Sequence, residues 1–203
     1  MSTPLVVHRV VGVATLIALL AASAFAVLSA ARAHAQAPAG DRPVLSPEVE
    51  KVRAALEKYQ DPVVAVHNGY FSTLGCIEYP SGLMGIHFLN PRLIGPVPDP
   101  MAPPILLYEP VGDKLRLIGA EWFIPVATGV KERPTLFGQP FDGPMEGHEP
   151  LQPRELVHYD LHVWLFKHNP AGLFSPANPT SRCPQTGYTL KDHLPKIISV
   201  PQK

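Results

Sequence analysis

His158-Tyr159-Asp160-Leu161-His162-Val163-Trp164-Leu165-Phe166 is the stretch on which the reading of this chain turns. In an extended backbone alternate side chains point to opposite faces. His158, Asp160, His162 and Trp164 therefore share one face, and Tyr159, Leu161, Val163 and Leu165 share the other. The second row is apolar enough to belong to a core. The first brings two imidazoles, a carboxylate and an indole together, which is the make-up of a site.

Other runs of the same kind surround it. Val63 to His67, Met84 to Leu89, Ile105 to Glu109, Leu115 to Val126 and Leu156 to Phe166 read as strands, and Val111-Gly112-Asp113-Lys114 reads as a hairpin connection. The chain has 25 prolines, most of them between these runs, and so many exclude a helical bundle. The expected fold is mainly β: a small antiparallel β-barrel or sandwich, a cupin-like barrel among the options, with long Pro-rich loops. One helix is expected, from Ser46 to about Tyr59. Ser46 suits the N-cap, Pro47 the first helical position, and Glu48 and Glu50 the positive helix end. Val49, Val52, Leu56 and Tyr59 recur on one side, so this helix should lie on the body of the domain. Ile197, Ile198 and Val200 are candidates for an edge strand.

Residues 1–35 read as a secretory signal peptide. They contain no acidic residue, His8 and Arg9 precede an apolar run from Val10 to Leu28, and small-residue cleavage patterns follow at Ala33-His34-Ala35 and Ala35-Gln36-Ala37. The competing reading is an uncleaved anchor, since the run approaches the ~20 residues that span a bilayer. Residues 36–45 form a flexible lead-in, and 46–203 a single β-rich domain. Removing the first 35 residues leaves 15 Lys+Arg against 17 Asp+Glu, formally −2. With no basic stripe, nucleic acid is excluded as a partner, and no charge run marks a membrane-surface patch. The expected location is exported, periplasmic or extracellular, with no membrane span after processing. There an oxidising compartment lets Cys76 and Cys183, the only two cysteines, form a disulfide.

Three more polar groups stand alone among apolar neighbours on their strands. His87 shares a face with Gly85 and Leu89, Glu109 with Leu107 and Ile105, and Glu121 with Leu115, Leu117, Gly119 and Phe123. A carboxylate on an apolar face is costly to bury unpaired, so Glu109 and Glu121 each need a cation, an Arg or Lys partner, or water. Gathering His87, Glu109, Glu121 and His162 in one cavity, with Gly85 and Gly119 leaving room beside them, satisfies all four with one divalent metal. Mixed His/carboxylate sets suit zinc, iron, manganese or copper. In the plainer alternative Arg116 or Lys114 neutralises a carboxylate across the hairpin and the histidines are structural. His158 at the strand start and His148 in a Gly/Pro loop are expected to meet solvent.

A second class of function competes with the metal centre: a non-catalytic pocket for a small apolar or aromatic ligand, lined by Tyr108, Trp122, Phe123 and Trp164. A third is an envelope interaction protein with no site. No G-x-S-x-G elbow and no phosphate-binding glycine loop is present. Leu161-His162-Val163-Trp164, Asn169-Pro170-Ala171-Gly172, Asn178-Pro179 and Cys183, with Met84-Gly85-Ile86-His87 and Tyr108-Glu109-Pro110 before them, together resemble a family of exported bacterial proteins without an established activity. The resemblance covers about residues 60–184 and implies no reaction.

Overall fold

A computed structural model describes residues 42–73, 75–149, 152–184, 189–191 and 196–198. These residues belong to one unit, Pro38–Lys203. Helix α1, Pro47–Leu56, opens with the Ser46 side chain accepting from the Val49 amide at 3.4 Å, and it buries Val49, Val52 and Leu56. At Glu57 it tightens into a 3₁₀ turn that ends at Gln60 and still buries Tyr59. At about 1.5–3 kcal/mol per fully buried aliphatic side chain, these contacts hold the helix where propensity alone would not.

The run Val63 to His67, expected as a strand, is the helix α2, Pro62–His67. Its β-branched valines argue for extension, but Asp61 caps the Val63 amide at 2.9 Å and Pro62 has its φ already set for the first helical position. One turn suffices to bury Ala65 and to leave Val63 and Val66 exposed.

The strands are β1 Phe71–Ser72, β2 Cys76–Tyr79, β3 Gly82–Leu89, β4 Ile105–Val111, β5 Lys114–Pro125, β6 Thr135–Leu136, β7 Gln139–Pro140, β8 Asp142–Met145, β9 His158–Val163 and β10 Thr189–Lys191. Eight of them form one sheet in the order β10-β2-β3-β4-β5-β9-β8, with β1 also paired to β3, while β6 and β7 make a separate hairpin. All pairings are antiparallel except β10 with β2. The sheet is sandwich-like and not closed into a barrel, which corrects the cupin-like option. At its open edge the C-terminal segment bridges from Ile197 to Met145 of β8. The β4–β5 connection is the expected two-residue hairpin, with Gly112 at φ +61°.

The two larger cores lie on the two sides of this sheet, and a smaller cluster gathers Ile77, Tyr79, Met84 and Ala177. One joins α1 to Phe88, Leu106, Tyr108, Leu117, Ala120, Trp122, Leu161, Val163 and Leu165. The other gathers Leu83, Ile105, Leu107, Ile118, Phe123, Trp164 and both cysteines. The alternation read from β9 thus holds. That of β5 breaks at a bulge: Leu107 pairs with Gly119 but Tyr108 with Leu117, so Ile118 is an extra residue. Leu117 consequently packs with the α1 core, and Ile118 takes the place beside Phe123.

Cys76 and Cys183 are joined, with their Cα atoms 5.7 Å apart. Buried Glu78 steadies this joint by accepting the Cys183 amide at 2.8 Å. Residues 1–41, including Val10 to Leu28, lie outside the described residues, as does Val200. Among the described residues no helix is long and apolar enough to cross a membrane.

Candidate metal centre

Three neighbouring features of the sheet place the site. Glu121 on β5 lies directly opposite His162 on β9, and His87 of β3 reaches, through its β4 partner Leu107, the position of Gly119, two residues from Glu121 along β5. Side chains from β3, β5 and β9 therefore converge on one face of the sheet, around Glu121. His87 Nε2 stands 3.2 Å from Glu121 Oε2, and His162 Nε2 stands 3.6 Å from the same oxygen. The two rings meet edge to face with centroids 6.5 Å apart. All three residues are buried, at 6 %, 3 % and 1 % exposure in the order His87, Glu121, His162.

The room expected from glycine is taken by backbone. A Cβ on Gly119 would sit 2.3 Å from the Val163 carbonyl oxygen, and one on Gly85, at φ +116°, 2.8 Å from that of Tyr108. The glycines let the strands close up beneath the cluster.

Hydrogen bonds do not satisfy this cluster. Among the described residues Glu121 Oε2, both nitrogens of His162 and Nδ1 of His87 are buried without a hydrogen-bond partner. The 3.2 and 3.6 Å separations are those of groups facing one another, not of aligned donors and acceptors. Burial pushes the Glu121 carboxyl up, but while the imidazoles are charged the positive charge of His162, with the closeness and charge of His87 and the charge of His158, outweighs it and holds the group at about 2. Burial pushes His162 down from the usual imidazole value, with Glu121 opposing. At neutral pH His162 is neutral and that compensation is withdrawn, which leaves an anionic carboxylate beside a neutral His162 imidazole, the forms in which these groups ligate metal.

Glu109 does not join them, which corrects the four-ligand expectation. It lies four residues along β4 from Ile105, the partner of Glu121, a displacement of about 13 Å at the usual strand rise. Its Oε1 accepts from Arg116 Nε at 2.7 Å and its Oε2 from Lys167 Nζ at 2.7 Å, with Ser181 Oγ at 3.4 Å. The plainer alternative was right for this carboxylate, through Arg116, and Lys167 completes the pairing.

The four aromatic residues do not line one pocket either. Tyr108 and Trp122 belong to the α1 core, whereas Phe123 and Trp164 belong to the opposite one. Their polar atoms are used internally: Tyr108 donates to the Tyr59 carbonyl, Trp122 to that of Asp99 and Trp164 to that of Ser175. Phe123 packs against the His158 ring at 4.8 Å.

His158 and His148, expected to meet solvent, are buried at 1 % and 7 %. The loop after β8 turns back toward the start of β9, with Gly147 donating to the Arg154 carbonyl and Gln152 to that of His148. This brings His148 to 5.3 Å, ring to ring, from His158. His148, His158 and Asp160 form a second group whose candidate ligand atoms lie within 4.8 Å of one another, as do those of His87, Glu121 and His162. Alternation along β9 had already placed His158 and Asp160 with His162; nothing local showed that the strand start is covered.

The fold and site thus define a mainly β, disulfide-linked domain with histidine/carboxylate clusters on one sheet face. In comparisons with known proteins the chain matches no family model, no curated protein and no solved structure.

Proposed function

We propose that this protein is an exported metal-binding protein that holds a divalent transition-metal ion through His87, Glu121 and His162. The carrying observation is the contrast between two buried glutamates. Glu109 is met by two cationic side chains. Glu121, on the same sheet, has among the described residues only imidazoles as ionic neighbours. A buried carboxylate costs several kcal/mol unless a cation compensates it.

The spacing supports the same reading. Ligand atoms about 2.0–2.1 Å from a tetrahedral ion lie about 3.4 Å from one another. The separations from Glu121 Oε2, 3.2 and 3.6 Å, straddle that value. Two nitrogens and one oxygen favour zinc, iron, manganese or copper over calcium or magnesium, and three protein ligands leave a coordination position for water or a small anion. The disulfide and the signal-like residues 1–35 support an exported setting. Calorimetric titration of chelator-stripped protein with Zn²⁺ tests the site. Stoichiometric binding is expected, and His162→Ala should abolish it at this cluster without unfolding the chain, because Leu161, Val163 and Leu165 keep β9 in the core. A folded wild-type protein that takes up no Zn²⁺, Fe²⁺, Mn²⁺ or Cu²⁺ would refute the proposal.

A further inference from the structure

We infer that His148, His158 and Asp160 form a second divalent-cation site, so that this sheet face carries two ions. The set shares no residue with the first cluster and stands on its own geometry.

His158 carries the clearest signal. Its Nδ1 lies 3.0 Å from the Leu156 carbonyl oxygen, which can only accept, so the ring keeps its proton on Nδ1. The lone pair is therefore on Nε2, and Nε2 faces Asp160 Oδ2 at 3.9 Å. That gap is too long for a hydrogen bond and within the ~4.2 Å that two ligands on one ion can span. Two lone pairs facing each other in a buried place call for something positive between them: a proton on Asp160 or a metal ion. A ring fixed through Nδ1 by a carbonyl, with Nε2 presented, is how outer partners orient metal-binding histidines. On the other side of the group, the Tyr79 hydroxyl stands 3.1 Å from Nδ1 of His148 and holds that ring.

Charge points the same way. Asp160 is buried at 5 % exposure. Among the described residues no Lys or Arg forms an ion pair with it. An ion here would neutralise the Asp160 carboxylate. Asp160 and His162 are two residues apart on one face of β9, so the strand supplies ligands to both ions at a spacing of about 6.6 Å.

The test is zinc stoichiometry by dialysis and elemental analysis on chelator-stripped full-length protein. Each variant is also checked for a cooperative thermal transition. Two ions are expected in the wild type, one in His158→Gln, one in the isosteric Asp160→Asn, one in His87→Gln, and none in the His87→Gln/His158→Gln double variant. A wild type that binds a single ion, retained in His158→Gln and Asp160→Asn but lost in His87→Gln, would overturn the second site and leave the first standing. A single ion lost in His158→Gln and retained in His87→Gln would overturn the two-ion inference and the function proposed above, leaving only the His148 set. Folded wild-type protein that retains no ion after dialysis against zinc, iron, manganese or copper would overturn both.

Discussion

Glu121→Gln and Glu109→Gln are the same chemical change at two buried positions, and they should move stability in opposite directions. In metal-free protein, Glu121 is a charge removed from water with imidazoles as its ionic neighbours and no hydrogen bond to Oε2 among the described residues. The effective penalty for such an ion is several kcal/mol, against about 1–3 kcal/mol for burying a neutral amide in its place. Glu121→Gln should therefore stabilise the metal-free protein by about 1–3 kcal/mol. For a domain of this size that raises Tm by about 2–12 °C. Glu109→Gln instead leaves Lys167, 8 % exposed, facing a neutral amide. Breaking a buried pair from one side costs about 3–5 kcal/mol, although Arg116, about a third exposed, can turn to water. Thermal unfolding with a chelator present reads both effects. Added Zn²⁺ separates them further: an ion at a hundred times its dissociation constant contributes about 2.7 kcal/mol. Glu109→Gln should keep that increment, whereas Glu121→Gln should lose the share that belongs to the first cluster. If Glu121→Gln destabilises the chelated protein as much as Glu109→Gln does, Glu121 is an ordinary paired carboxylate and the metal reading fails.

Acidification should weaken the metal-free protein. His158 and His162 have folded pKa values lowered by burial, so as pH falls below about 6.5 the unfolded chain takes up protons that the folded one does not. Their contribution is full above that value and is lost as pH falls toward their folded values, while Asp160, raised mainly by burial, has the opposite slope above its ordinary range. Two imidazoles against one carboxyl give a net loss between pH 7 and 5; denaturant titrations showing constant or rising stability over that window would contradict it. Cys76→Ala with Cys183→Ala opens a 107-residue separation and should cost up to about 4.7 kcal/mol, checked by urea midpoint; a loss under about 1 kcal/mol would show the bridge to be dispensable. Gly119→Ala drives a Cβ into the Val163 carbonyl, so it should cost about 1–3 kcal/mol and weaken zinc binding by separating Glu121 from His162; unchanged zinc affinity would detach the site from the β5–β9 register. Mass spectrometry of the exported protein should show loss of about 35 residues, and a mature form retaining Val10 to Leu28 would establish an anchor instead.

Period-two alternation is a local property of the backbone, and for this reason the two faces of His158 to Phe166 were legible from the residue order, as were the capped start of α1, the two-residue hairpin at Gly112 and the pairing open to the only two cysteines. The same locality explains the misses. Val63 to His67 has strand-forming residues, but caps at Asp61 and Pro62 decided for a helix. A bulge at Ile118 reversed the alternation of β5 partway along and sent Leu117 to the other core. No pattern within a strand specifies how far one strand slides against the next, and that register alone set Glu121 opposite His162 while carrying Glu109 away to Arg116 and Lys167. Burial of His148 needed a loop folded back toward a strand far from it in space until the chain collapsed. The residue types able to ligate a metal were therefore written in the sequence. Their division into two clusters, and the withdrawal of Glu109 into an ion pair, came from long-range pairing, because only the assembled sheet determines which buried charge meets a cation.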